Sequence, residues 1–193
     1  MNQHRKGGSA LLQMTLLLAH FLILPWAHAA DKDGFWIKDA KVKLVEGIYY
    51  LDANIDFDFD AANIEAIKHG VPVTVEVQIK VLRSRNYLWG EEIAHLNQEY
   101  QVRYHALSER FLVLNFNSGQ QLSFHTWEEA MTALGTLTAI PVLDKSLLTS
   151  NDKYQVRIRA ILDVEALPIP LRPLAYLSPL WSMANGWYSC PLE

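Results

Sequence analysis

The sequence predicts a mainly β fold, an antiparallel β-sandwich of about seven strands with two short connecting helices. Three observations lead there. Apolar and polar residues alternate with period two through several separate stretches, as strands with one buried and one wet face do. Tight-turn residues separate some of these stretches, at Glu46-Gly47 and Asn117-Ser118-Gly119. Strands that alternate, rather than being apolar on both faces, favour antiparallel pairing over a βαβ arrangement. The alternative is an α+β fold with both helices on one face of an antiparallel sheet.

The chain opens with a targeting segment, residues 1–29. Arg5 and Lys6 supply its positive start, Leu11–Leu24 its apolar stretch, and Ala27-His28-Ala29 a small-x-small cleavage signal. The mature chain is expected to begin near Ala30 and to be periplasmic or secreted. The stretch is short and broken by Gln13, Thr15 and His20, which disfavours a spanning helix, for which about 20 apolar residues are needed. No later run is long enough to cross a membrane. Residues 30–193 are expected to form a single domain.

Within it, residues 35–45 alternate loosely and Glu46-Gly47 turns the chain into the most regular stretch of all. There Leu51, Ala53, Ile55, Phe57 and Phe59 alternate with Asp52, Asn54, Asp56, Asp58 and Asp60. Asp60 is placed to cap a helix over 61–69, which Gly70 ends and Pro72 prevents from continuing. Residues 71–85 form the longest strand, with Val73, Val75, Val77, Ile79 and Val81 on one face. The same register then reaches Arg83, Arg85, Tyr87 and Trp89, so the strand either leaves the core there or is re-aimed by a bulge. Strands are expected over 96–106, 111–116 and 121–124. Thr126 and Glu129 make a capping box for a helix to about Leu137, after which a polar connection leads to a strand over 154–162. The remainder, 164–193, reads as an extended Pro/Trp-rich segment. Leu167-Pro168-Ile169-Pro170-Leu171-Arg172-Pro173 looks polyproline-like, and Trp181, Trp187 and Tyr188 close the chain.

Composition narrows the function. Removing Arg5 and Lys6 from 17 basic residues leaves 15 against 21 acidic, a mature charge of −6, which argues against nucleic acid as a partner. Cys190 is the sole cysteine, so no internal disulfide forms; pairing between chains is one use for it and an incidental thiol near a loosely held terminus the other. The mature histidines His69, His95, His105 and His125 show no metal-hydrolase spacing, and no Gly-x-Ser-x-Gly element occurs. No enzyme activity and no cofactor are expected.

Several segments together resemble an exported bacterial family. They are Leu51-Asp52-Ala53 through Phe59, Gly70-Val71-Pro72, Arg83 to Trp89, and Tyr104-His105-Ala106-Leu107. Leu162-Asp163, Leu167-Pro168-Ile169-Pro170 and Trp181-Ser182 to Trp187 continue the series. In this order they are similar to domain-of-unknown-function family 4390 over nearly the whole mature chain. Leu171-Arg172-Pro173 departs from the family pattern, which has an aromatic or polar pair there. The resemblance implies a proteobacterial envelope protein, often encoded beside a nitrogen-regulation-type sensor kinase. It supplies no activity and no catalytic residues.

Two groups of residues are candidates for binding. Arg83, Arg85, Tyr87 and Trp89, with Trp181 and Trp187, combine guanidiniums and aromatics as partner- or ligand-binding surfaces do. The plainer reading makes them a strand end whose arginine stems cover the sandwich. Asp58 and Asp60, at the end of the acidic strand, are the weak candidates for a cation. Alternate carboxylates about 7 Å apart cannot all reach one ion, whose oxygens sit within about 2.6 Å. A wet face whose charges are offset by cross-strand Lys80, Arg103, Arg157 or Arg159 is therefore expected. The predicted role is a non-enzymatic interaction or accessory protein with an envelope or membrane partner, the sensor kinase being one such. The alternative is a small-ligand or divalent-cation binding β-sandwich domain.

Overall fold

The strands β1 (Gly34–Val45), β2 (Ile48–Asp58) and β7 (Thr136–Asp144) form one antiparallel sheet in the order β1-β2-β7. A second, six-stranded antiparallel sheet has the order β6-β5-β4-β3-β8-β9. Its members are β3 (Val73–Arg83), β4 (Glu91–His105), β5 (Arg110–Asn115), β6 (Gln121–Phe124), β8 (Tyr154–Leu162) and β9 (Tyr188–Pro191). The computed structural model describes residues 34–85, 90–177 and 186–192. Together the two sheets are the layers of the expected β-sandwich.

Burial follows the alternation read from the sequence. On β3, Val73, Val75, Val77, Ile79 and Val81 are fully buried, and on β8 so are Val156, Ile158 and Ala160. The facing layer contributes Leu51, Ala53, Ile55 and Phe57 from β2. Burying a side chain of this kind is worth about 1.5–3 kcal/mol, so the facing stripes hold the layers together and fix which residues point outward.

Local chemistry sets the connections. Glu46 and Gly47 both have positive φ, 50° and 86°, as a two-residue hairpin turn matching the strand twist requires. The helix α1 (Ala61–Lys68) starts where the Asp60 carboxylate accepts from the Asn63 amide at 2.7 Å. It ends in a Schellman motif: the Gly70 amide donates to Ile67 and the Val71 amide to Ala66, at 2.9 and 3.0 Å. The helix α2 (Trp127–Gly135) carries the full capping box, Thr126 and Glu129 each bonding the other's backbone. Trp127 meets Phe59 and Phe111 edge-on at 5.3 and 5.6 Å, so an aromatic cluster drawn from β5, the end of β2 and α2 anchors the helix start.

Nine strands appear among the described residues rather than about seven. The first addition is β7, which was expected to be the last turn of a helix and a polar connection. Thr136 is already extended, and Ala139 has a φ of 54° where the register against β2 slips. A second slip lies next to Pro141, which is tolerated because β7 is an edge strand. These bulges erase the period-two signal. The second addition is β9, four residues that place Cys190 opposite Val156 in the core. β4 begins at Glu91, five residues before the expected start at Leu96. Its register against β3 slips at Val81/Leu82, where Ala94 and Glu92 are the successive partners and Ile93 is the extra residue.

The segment expected to be extended, from residue 164, is instead tightly coiled over residues 164–177, while β9 near its end is extended. Leu167 and Pro168 keep extended angles, but Val164–Ala166 and Ile169–Leu171 are single 3₁₀ turns and α3 (Arg172–Leu177) is helical. Prolines suit the first turn of a helix because the missing N–H has no partner there anyway. Leu167 is buried, and the Arg172 guanidinium Nε donates to its carbonyl at 2.9 Å, which closes the turn.

Two outcomes follow. A Cβ on Gly135 would stand 2.2 Å from the Ile55 carbonyl oxygen, whereas one on Gly186 meets nothing within 4 Å. Gly135→Ala should cost about 2 kcal/mol, lowering Tm by roughly 4–8 °C, while Gly186→Ala leaves the melt near that of the parent. Equal melts for the two variants would contradict the close approach. Cys190 is buried, which pushes its thiol pKa up. It should therefore resist a water-soluble alkylating reagent until the chain unfolds, and fast labelling of the native protein would show that β9 is not docked as described.

Candidate functional site

The acidic strand spends its charges inside its own sheet. Lys43 on β1 donates to Asp52 at 2.6 Å, and Lys38 lies 3.0 Å from Asp56. Asn54 donates through its amide to both oxygens of Asp39, at 3.1 and 3.0 Å. The offsetting cations thus come from β1. Lys80, Arg103, Arg157 and Arg159, the expected partners, lie on the other sheet. Asp52 has a further task, accepting at 2.9 Å from the Ala139 amide in the β7 bulge. The Lys43 ammonium, followed by this amide, holds the Asp52 carboxyl below the usual carboxylate range.

Of the two cation candidates, Asp60 is occupied as the α1 cap and Asp58 is exposed opposite Gly34. Among the described residues no group of three His, Cys, Asp or Glu side chains could hold a metal ion. A concavity of about 470 Å³ lies between α2 and β2, floored by Ile55, Phe57, Trp127 and Met131. Of its three lining carboxylates, Asp39 and Asp56 are already engaged by Asn54 and Lys38, and Glu128 stands in the first turn of α2. His105 Nδ1 lies 2.9 Å from Ser108 Oγ, but this is a contact within one exposed turn.

Arg83 and Arg85 converge on one internal carboxylate. Arg83 sits opposite Glu91 in the β3–β4 register and donates to it through Nε at 2.9 Å, with a second, very short bond from Nη2. Arg85 bonds the same oxygen, and Arg83 also reaches Asp152 at 3.3 Å. Arg83, then Arg85, hold Glu91 below its usual range. These guanidiniums clamp the ends of β3 and β4 to the loop before β8. Tyr87, Trp89 and Trp181 lie outside the described residues, as does the targeting segment 1–29.

Trp187 leads to a different constellation. Its ring has the Arg159 guanidinium 4.5 Å from its centroid, Arg157 at 5.3 Å and Lys80 at 5.6 Å. All lie on the outward face of the six-stranded sheet. Lys80, Arg157 and Ser189 form one cross-strand row over β3, β8 and β9, and Gln78 with Arg159 the next. Lys80 holds Glu92 at 2.7 Å. Arg159 donates through Nε to the neutral Gln78, also at 2.7 Å, and Gln78 passes the contact to Glu76 at 2.9 Å. Among the described residues Arg157 has no carboxylate partner, and its buried Nε has no acceptor.

Sequence reading singled out Trp187 but missed Lys80, Arg157 and Arg159 as members of a site. Alternation did place all three outward. What it could not show was that β8 lies between β3 and β9, which brings residues 80, 157, 159 and 187 together.

The sequence model of the family described as "Domain of unknown function (DUF4390)" matches residues 32–191. No curated protein matches the chain, and no solved structure does.

Asp52, Glu91, Glu92 and Asp144 all titrate below their ordinary values. Their stabilisation is complete above the unfolded carboxylate range, about 3.9 to 4.3, and is lost as pH falls through the folded values. Urea midpoints should therefore drop steeply below about pH 4. Asp52→Asn should be less stable than the parent at pH 7, and the gap should close as pH falls through the depressed Asp52 value; a constant gap would exclude the Lys43 and Ala139 contacts as its source.

Proposed function

We propose, for a chain that belongs to the DUF4390 family, that it is an exported, non-enzymatic interaction module that docks a protein of the cell envelope. The outward face of the six-stranded sheet is the docking surface and Trp187 is its centre. Three considerations support this reading. The leader has the charge, the apolar stretch and the small-x-small motif of an export signal. Among the described residues no helix is long and apolar enough to cross a membrane, so the domain would meet a membrane-held partner through a surface.

The third consideration carries the reading. Lys80, Arg157 and Arg159 gather around one half-buried tryptophan on a chain of opposite net charge. Trp and Arg are the residues most enriched where interfaces derive their energy, since both combine a large flat contact with directional donors. A membrane sensor of the kind that accompanies the family is one fitting partner.

A photo-crosslinking side chain introduced at Ser189, exposed and in register with Arg157, tests the reading in living cells. Illumination should trap one envelope protein from Ser189 and none from Lys41, which is exposed on β1 of the other sheet. The same yield from both positions, or none from Ser189, would refute docking through this face.

A further inference from the structure

We infer that the docked partner presents an acidic segment in extended conformation, with two alternate carboxylates seated on Arg157 and Arg159 above the Trp187 ring. This rests on the reading that the outward face of the six-stranded sheet is the docking surface, and adds the chemistry of what docks there.

The first support is the state of the two guanidiniums. Lys38, Lys43, Lys80, Arg83, Arg85 and Arg172 each have a carboxylate within the protein. Arg157 and Arg159 have none among the described residues. Among the described residues Lys41, Lys68, Lys145, Lys153, Arg103 and Arg110 also lack one, and Arg103 and Arg110, like Arg159 with Gln78, bond neutral neighbours. Only Arg157 and Arg159 converge on one aromatic ring. Arg159 commits its Nε to Gln78, and the terminal guanidinium nitrogens of Arg157 and Arg159 are the donors that would meet a carboxylate.

Spacing gives the second support. Arg157 and Arg159 are alternate residues of β8, hence about 7 Å apart, and alternate residues of an extended peptide have the same repeat. A segment of the form acidic-x-acidic lying along β8 would put one carboxylate over each guanidinium. Lys80 illustrates the preference of the patch, because it already holds Glu92.

Charge provides the third. The mature chain is acidic, so an acidic partner is repelled by the protein as a whole and attracted at this patch. That arrangement sets orientation and suppresses wrong encounters. The patch has too few cations to track a nucleic-acid backbone.

The test uses the full chain, expressed with its leader and purified as the cell processes it. Calorimetric titrations with a short synthetic peptide of alternating Glu and Ser, its Gln counterpart and sodium phosphate compare the anions. The Glu peptide should bind and weaken as salt rises from about 50 to about 300 mM, and the Gln peptide should not bind. Arg157→Gln with Arg159→Gln should lower affinity by about tenfold or more, equivalent to about 1.4 kcal/mol. Arg159→Lys keeps the charge but loses the fork and should fall between, which preserves the test should the double variant melt early. Equal binding of the Glu and Gln peptides, binding of neither, indifference to the arginine changes, or phosphate binding as tightly as the Glu peptide would each overturn the inference. A negative titration with an intact Ser189 crosslink removes the acidic chemistry alone, whereas loss of the crosslink removes the docking reading as well.

Discussion

The inward stripe of β3 is the constraint on which the rest of this protein depends. Val73, Val75, Val77, Ile79 and Val81 are fully buried in the middle of the larger sheet, with β4 on one side and β8 on the other. Because side chains alternate, a slip of one residue would bury Glu76, Gln78 and Lys80 instead, at a cost no sandwich of this size could absorb. The register is therefore forced, and it places Lys80 beside Arg157 and Gln78 beside Arg159. The basic patch is a consequence of where the valines must go. A core position and a surface site are, in this sheet, the two faces of one decision.

The acidic strand obeys the same logic with a different result. Leu51, Ala53, Ile55 and Phe57 point inward, and the residues between them must point out. Most of those outward groups are engaged close by, by Lys43, by Lys38 and by Asp39. Exposed pairs of this sort contribute at most about 1 kcal/mol each, so their value lies in position more than energy. Asp52 is the instructive case. One of its oxygens holds Lys43 and the other accepts the amide at Ala139, a residue forced to positive φ where β7 bulges. The aspartate row stabilises an irregularity in the neighbouring strand, which is a structural use for charge that looks at first like a site.

How legible these features were depended on whether the physics involved was local. Alternation in β2, β3 and β8, the Asp60 cap, the Schellman end at Gly70 and the Thr126–Glu129 box all act within a few residues, and each appears in the structure where the sequence puts it. β7 was illegible because two register slips and Pro141 break its alternation, and those slips are tolerated only by contacts with β2, some 85 residues earlier in the chain. The coil after residue 163 was misread for a related reason. Proline restricts its predecessor towards extended angles, but a buried Leu167 and the reach of Arg172 override that preference. Arg157 and Arg159 could be placed on the outward face from sequence, but their neighbours depend on strand order, which no local pattern encodes.

Strand order also explains why the patch keeps a surplus of positive potential. Two cations about 5 Å apart across neighbouring strands repel by roughly 0.8 kcal/mol in water, and by more near a protein surface. Folding could have relieved this by exchanging Gln78 for a carboxylate between Arg159 and its neighbours, as Glu91 does between Arg83 and Arg85. Instead the relief comes from Trp187, whose ring face attracts cations by about 0.5–1 kcal/mol each at exposed sites. A π face reduces repulsion without cancelling charge. The cations at Arg157 and Arg159 lie beside one ring with no carboxylate partner among the described residues, whereas the cluster at Arg83 is neutralised by its own carboxylates. Of the two arginine groups in this fold, the one built around Glu91 has finished its electrostatic work within the chain, and the one built around Trp187 has not.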